Sequence, residues 1–220
     1  MSMSMVIDRA KQFLTNNDHQ GCLHMLDDEK VQEWPLELLE IKAFCLQKTQ
    51  QYEEALEAWN TLILRNNEEP DYYENRGICK FHLRLKSSME DMDKAIELDS
   101  DNGYRYSCRA YIKDKIGDTE GCIEDYKISL ELDPNNEITL NNLGLAEEKL
   151  GYTRNARERF KKSDQLLGID KHMEKFYPEE NSEKPVITRT NKWKEIKKML
   201  SSPGEFKSFM KEAMALFSKK

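Results

Sequence analysis

Apolar positions in this chain recur three and four residues apart with charged residues between them, the pattern of amphipathic helices. Residues 137–170, EITLNNLGLAEEKLGYTRNARERFKKSDQLLGID, show it, and residues 103–136, GYRYSCRAYIKDKIGDTEGCIEDYKISLELDPNN, lay down the same template. Shifted by 34 residues, Ala110 falls on Gly144, Gly117 on Gly151, Cys122 on Ala156 and Tyr126 on Phe160. Upstream, Gly77, Ala95 and AIELDSDN (95–102) follow the template with one residue missing in the inter-helix turn. Ala43 with YEEALEAW (52–59) gives another copy, and Ala10, Phe13, Asn17, Asp18, Cys22 and Leu26 a fainter first one.

The template predicts pairs of antiparallel helices. Neither helix of a pair can bury its apolar face alone, so stacked pairs share a continuous core. Small residues are needed where helix backbones approach closely, and large ones where a side chain fills the groove between neighbours. Ala43, Gly77, Ala110 and Gly144 are the small contacts of the first helices. On the second helices Ala55, Cys122 and Ala156 are small, and Trp59, Met92, Tyr126 and Phe160 large. Pro134 closes one unit, since proline opposes helix continuation, whereas Ser100 holds the equivalent place one unit earlier.

These residues, with the runs RGICKFHL, YEEALEAW, LELDPNN and LNNLGLAEEKLG, resemble the tetratricopeptide repeat family over about residues 3–170. The resemblance implies an all-α fold, a right-handed α-solenoid of five helix pairs with units at 3–35, 36–69, 70–102, 103–136 and 137–170. It also implies that ligand segments lie in the concave groove, against the second, fifth, ninth, twelfth and thirteenth residues of each unit. Here those are Glu37, Glu40, Phe44, Gln47 and Lys48, then Asp71, Glu74, Ile78, Phe81 and His82. Tyr104, Ser107, Tyr111, Asp114 and Lys115 follow, and finally Ile138, Asn141, Leu145, Glu148 and Lys149. Phe44, Ile78, Tyr111 and Leu145 share one phase as an apolar stripe, and Glu37, Glu40, Asp71 and Glu74 make the early end acidic. The expectation is a groove for an apolar or amphipathic segment with basic flanks; the alternative is a stripe that only packs first helices together. Some co-chaperones of the family clamp an acidic C-terminus with Lys and Asn at the fifth and ninth positions. Glu40, Phe44, Glu74 and Ile78 stand there instead, so that clamp is not expected.

The composition bears on chemistry and location. Apolar residues make up 38% and charged residues 34%, which suits an elongated helical protein with a large surface for its mass. The net charge of −7 is uneven: residues 189–220 hold nine Lys and Arg against three Glu, so the body carries −13. An acidic body argues against nucleic-acid binding, which needs cations to displace counterions from phosphates. The start, MSMSMVIDRAKQFL, has no apolar leader core and no run reaches transmembrane length, so a cytoplasmic protein is expected. Five cysteines, with no C-x-x-C pair, read as small buried residues in a reducing compartment. His19, His24, His82 and His172 are scattered, no nucleophile, phosphate-loop or metal motif is present, and most carboxylates read as solvated helix faces. No enzyme activity, cofactor or metal is expected.

Beyond residue 170 the repeat fades. Residues 171–190 read as a polar linker containing Pro178 and Pro185. In 191–220, Trp193, Ile196 and Leu200 fall on one helical face. A second helix, capped by Ser202 with Pro203 and Glu205, carries Phe206, Phe209, Met210, Ala213, Met214 and Phe217 as its apolar stripe. At about 0.8 kcal/mol per buried CH₂, such a stripe gains several kcal/mol from a partner surface. Opposite charges favour folding back on the solenoid, as a terminal cap or groove lid. The rival readings are another chain, including a second copy, and an anionic membrane, for which the lysine face is sparse. The expected function is a noncatalytic protein- or peptide-binding scaffold; the alternatives are a homo-oligomerisation module and a regulatory subunit of an enzyme.

Overall fold

A computed structural model describes residues 2–28 and 34–168; the linker and the 191–220 extension with its expected contact residues lie outside the described residues. Among the described residues, ten helices alternate as five pairs. They are α1 (Met3–Thr15) with α2 (His19–Asp28), α3 (Leu36–Lys48) with α4 (Tyr52–Arg65), and α5 (Pro70–His82) with α6 (Ser88–Leu98). The last two pairs are α7 (Gly103–Ile116) with α8 (Thr119–Leu132) and α9 (Glu137–Lys149) with α10 (Thr153–Leu166). Each helix packs on the next, and α1 on α3 and α5 on α7 across units, which is the stacking of a solenoid.

Local chemistry sets the helix ends. Asp18, Asp118 and Asn136 each accept a bond from the amide three residues on, at 2.8 to 3.0 Å, satisfying first-turn N–H groups that lack helical partners. Pro70 occupies the first turn of α5, where no amide donor is needed. After every first helix the chain turns through one left-handed residue. The later units use Gly117 and Gly151, and the earlier ones Asn17 (φ 54°), Gln50 (φ 64°) and Arg84 (φ 58°). A side chain there costs about 1–2 kcal/mol relative to the right-handed region.

The small and large positions meet as the template requires. Ala43, Ala55, Ala110 and Cys122 are fully buried, and Trp59, Met92, Tyr126 and Phe160 nearly so. A methyl group on Gly77 would lie 2.5 Å from Met92 Cε, and one on Gly144 would lie 2.5 Å from Phe160 Cε1. Buried apolar residues cluster from Val6 to Cys79 and from Ala110 to Ala146, and Met92, Ala95, Ile96, Ile112, Leu140, Ala156 and Phe160 are buried as well. Four cysteines are buried and Cys108 half-buried, all as free thiols.

One expectation is corrected inside the pairs: several carboxylates are buried rather than solvated. Asp91 of α6, 4% exposed, receives two bonds from Arg76 at 2.8 and 2.7 Å and an ion pair from Lys80 at 2.9 Å. One unit on, Asp125 of α8 receives the same set from Arg109 (2.8 and 2.7 Å) and Lys113 (2.9 Å). The guanidinium fork matches the carboxylate, so these pairs fix the rotation of second helix against first.

The two glycine contacts differ in compliance. Gly144→Ala drives a methyl into the edge of an aromatic ring and should destabilise by about 1–3 kcal/mol, although Ala is the better helix former by about 1 kcal/mol. Gly77→Ala meets the mobile end of a methionine, with the fixed Ser88 carbonyl oxygen 3.1 Å away, and should cost less. Urea unfolding of both variants checks the order; equal losses would show that the ring yields as easily as the thioether.

Candidate functional site

The first helices carry the residues expected in the groove, and the structure separates them into three sets. Toward the late units they face solvent: Tyr104 is 59% exposed, Tyr111 and Leu145 47% each, and Ile138 66%, with Asn141 also exposed. In the middle, Phe44, Ile78 and Tyr104 line a cavity of about 340 Å³ together with Gln47, Lys48, Gln50, Tyr52, Asn75 and His82. Trp59 Nε1 donates to Gln47 Oε1 at 3.1 Å, and Gln47 Nε2 donates to Asn75 Oδ1 at 3.1 Å, so the polar wall is held in one orientation. Phe81 lines an adjoining cavity of about 580 Å³ with His82, Arg84, Leu85, Lys86, Ser88, Met89, Lys115 and Ile116. His82 borders both, its ring stacked on Tyr52 at 4.3 Å, and Phe81 meets Tyr111 edge-on at 6.3 Å.

The acidic set is placed differently from expectation. Glu74 is 5% exposed and pairs with Arg105 of the next unit at 2.8 Å. The same guanidinium holds Asp71 at 2.8 Å and Asp99 at 2.9 Å. Glu40 accepts a hydrogen bond from the Tyr72 hydroxyl, and Glu37 pairs with Lys11 at 2.5 Å. All four expected groove acids are thus engaged within the protein. Glu74 in particular is corrected from a ligand contact to a structural bridge between units, because burial beside a permanent cation satisfies it there.

That burial has an electrostatic signature. Desolvation pushes the Glu74 carboxyl up to about 7; Arg105 opposes the shift, while Asp71 and Asp99 add to it. Burial similarly raises Glu147, whose Oε2 lacks a hydrogen bond and lies 3.7 Å from Arg159. Burial lowers His82, favouring its neutral ring against Tyr52. These perturbed groups are spread over separate interfaces, and among the described residues no three His, Cys, Asp or Glu could hold a metal ion.

Sequence reasoning missed Arg84, Leu85, Lys86, Met89 and Ile116 as cavity walls, and Arg105 as the bridge. A signal for the first group was present in the residue missing between Gly77 and Ala95. Its absence delays the start of the second helix, so α6 has 11 residues where α4, α8 and α10 have 14. The lost turn leaves RLKSS (84–88) as an open wall.

No model of a known family matches the chain. In structure it is similar to MamA, with a TM-score of 0.61 and 19% identity, over 72% of this chain and 94% of that one. MamA 41-end from Desulfovibrio magneticus RS-1 gives a TM-score of 0.64 and 15% identity, over 75% and 94%. The likeness is one of fold, an all-helical solenoid of stacked helix pairs. In sequence, 86 residues are 37% identical to dynein axonemal assembly factor 4 of Pan paniscus, and the same figures hold for that of Pongo pygmaeus. The match covers 38% of this chain and 19% of those proteins, so it spans about a fifth of their length. No helix among the described residues is long and apolar enough to cross a membrane.

The Glu74 bridge makes stability depend on pH. The unfolded carboxyl ionises near its usual 4.5, whereas the folded one keeps its proton to about 7. Its stabilising contribution is therefore complete below 4.5 and lost as pH rises through 7. Glu74→Gln cannot ionise, so the stability of wild type minus variant should fall by roughly 3 kcal/mol across that window. Urea midpoints on both sides of it measure this, and a difference independent of pH would contradict it.

Proposed function

We propose that the protein is a noncatalytic interaction scaffold whose first helices present a groove to a peptide or protein segment. The observation that carries the reading is the row of exposed apolar side chains at repeating positions, Tyr104, Tyr111, Ile138 and Leu145, on elements whose other faces are buried. A repeat array that spends solvent-facing positions on large apolar residues in one phase has a surface suited to another chain. The perturbed titratable groups support a noncatalytic role, because Glu74 already serves an inter-unit ion pair and Glu147 lies buried near Arg159. Panning a random peptide library against the full chain tests the groove. Selected peptides should bind at least about tenfold more weakly to Tyr111→Ala/Leu145→Glu, the loss of a central anchor or two. Peptides that bind the double variant equally, or no selection at all, would overturn the reading.

For residues 191–220 the proposal is a fold-back on the end of the solenoid rather than into the groove. Lys11, Tyr72 and Arg105 already engage the groove acids that a basic segment would seek. The last described residues include exposed Leu166 (43%) and Leu167 (54%), an apolar edge at the end of the array, which the expected linker joins to the extension. Deleting 189–220 should lower the melting temperature and increase binding of a dye specific for exposed apolar surface. If both stay unchanged, the extension does not cap the array; size that depends on concentration only in the intact chain would assign it to a second copy.

A further inference from the structure

The two adjoining cavities differ in charge from the rest of the molecule. The chain has 41 Asp and Glu against 34 Lys and Arg, yet no carboxylate lines either cavity. Lys48 lines the smaller one, and Arg84, Lys86 and Lys115 the larger, with His82 between them. Elsewhere the cations of the first helices are committed: Arg76 and Lys80 to Asp91, Arg109 and Lys113 to Asp125, and Arg105 to three carboxylates. The cavity cations have no carboxylate partner among the described residues. Lys48 and Lys115 lie instead over aromatic faces, 5.0 Å from the ring centres of Phe44 and Tyr111.

The backbone makes the same distinction. The irregularity of the repeat, the shortened α6, falls on this cleft and opens the larger cavity. Arg84 holds a long cationic side chain in the left-handed conformation, at φ 58°, as Asn17 and Gln50 do in the earlier units and glycine does in the later ones. The apolar members Phe81, Leu85, Met89 and Ile116 supply contact area, and the cations ring it.

Resting on the scaffold reading above, we infer that this cleft receives an acidic protein segment with bulky apolar anchors, its carboxylates meeting Lys48, Arg84, Lys86 and Lys115. This reverses the basic ligand flanks expected from the sequence. A protein segment fits better than a nucleic acid, because the surrounding body is acidic and would repel an extended polyanion. Apolar anchors fit because an ion cluster without them would be solvated and weak.

The test uses the full chain and a fluorescein-labelled peptide alternating Glu with Phe and Leu, followed by polarisation. Versions with Gln or Lys in place of Glu, a short DNA duplex and phosphatidylserine vesicles run beside it. The Glu peptide should bind at least about tenfold more tightly than the Gln and Lys versions, and weaken as salt screens the charges. Lys48→Glu/Lys115→Glu should abolish the preference while Lys48→Arg/Lys115→Arg retains it, with helicity and melting compared throughout. Arg84→Gly gives an independent arm: relief of the left-handed residue should raise the melting temperature, while binding of the Glu peptide falls.

Equal binding of the three peptides, or retention by the Glu double variant, would overturn the inference. So would no binding at all. DNA or vesicles binding more tightly and losing affinity in the same variant would reassign the cleft to that polyanion. The library experiment separates this failure from that of the scaffold reading. Groove-dependent peptides without an acidic excess leave the scaffold standing and remove the acidic ligand.

Discussion

Each unit of this protein rests on one close approach between helices. Where first helix meets second, small Ala43, Gly77, Ala110 and Gly144 and large Trp59, Met92, Tyr126 and Phe160 are all buried or nearly so, and a methyl group added at Gly77 or Gly144 would overlap Met92 or Phe160. That contact fixes the spacing of the pair. The spacing brings Arg76 onto Asp91 and Arg109 onto Asp125, with the geometry of a paired fork. Stacking of pairs then leaves part of each first helix uncovered, and that uncovered face supplies both the apolar row and the walls of the cleft.

The electrostatics follow from packing rather than from composition. A net negative charge describes the chain as a whole, but the interior takes up selected carboxylates and withdraws them from the surface. Asp91, Asp125 and Glu74 are all below 6% exposure. Removing one partner from such a site leaves an uncompensated buried charge, which is why buried pairs are costly to break even when they add little net stability. The cations left over at the ends of the first helices create a local sign opposite to that of the body.

The fold was legible because its determinants are local and periodic. Size alternation at 43, 77, 110 and 144, with its partners on the second helices, identifies helix pairs without reference to any distant residue. The turns were only partly legible. Gly117 and Gly151 announce a left-handed residue, but Asn17, Gln50 and Arg84 adopt the same conformation under the force of the surrounding unit. The groove was less legible still. Glu74 occupies a position that faces a ligand in the family's general plan, and nothing in its own unit reveals that Arg105, a unit later, draws it inside. The missing residue in the third unit was visible, but its effect, a second helix shorter by about one turn, appears only when the cavity beside it is seen.

The Arg105 bridge between the unit of α5 and the unit of α7 has a mechanical meaning. In a stacked array, cooperativity passes only between adjacent units. Here one guanidinium holding three carboxylates adds directional contacts to the apolar packing of Ala95, Ile96 and Ile112, all buried. The cleft, with walls from α5 on one side and α7 on the other, lies across the same interface. Because the two walls belong to the first helices of adjacent units, the width of the cleft is set by how those two helices stack.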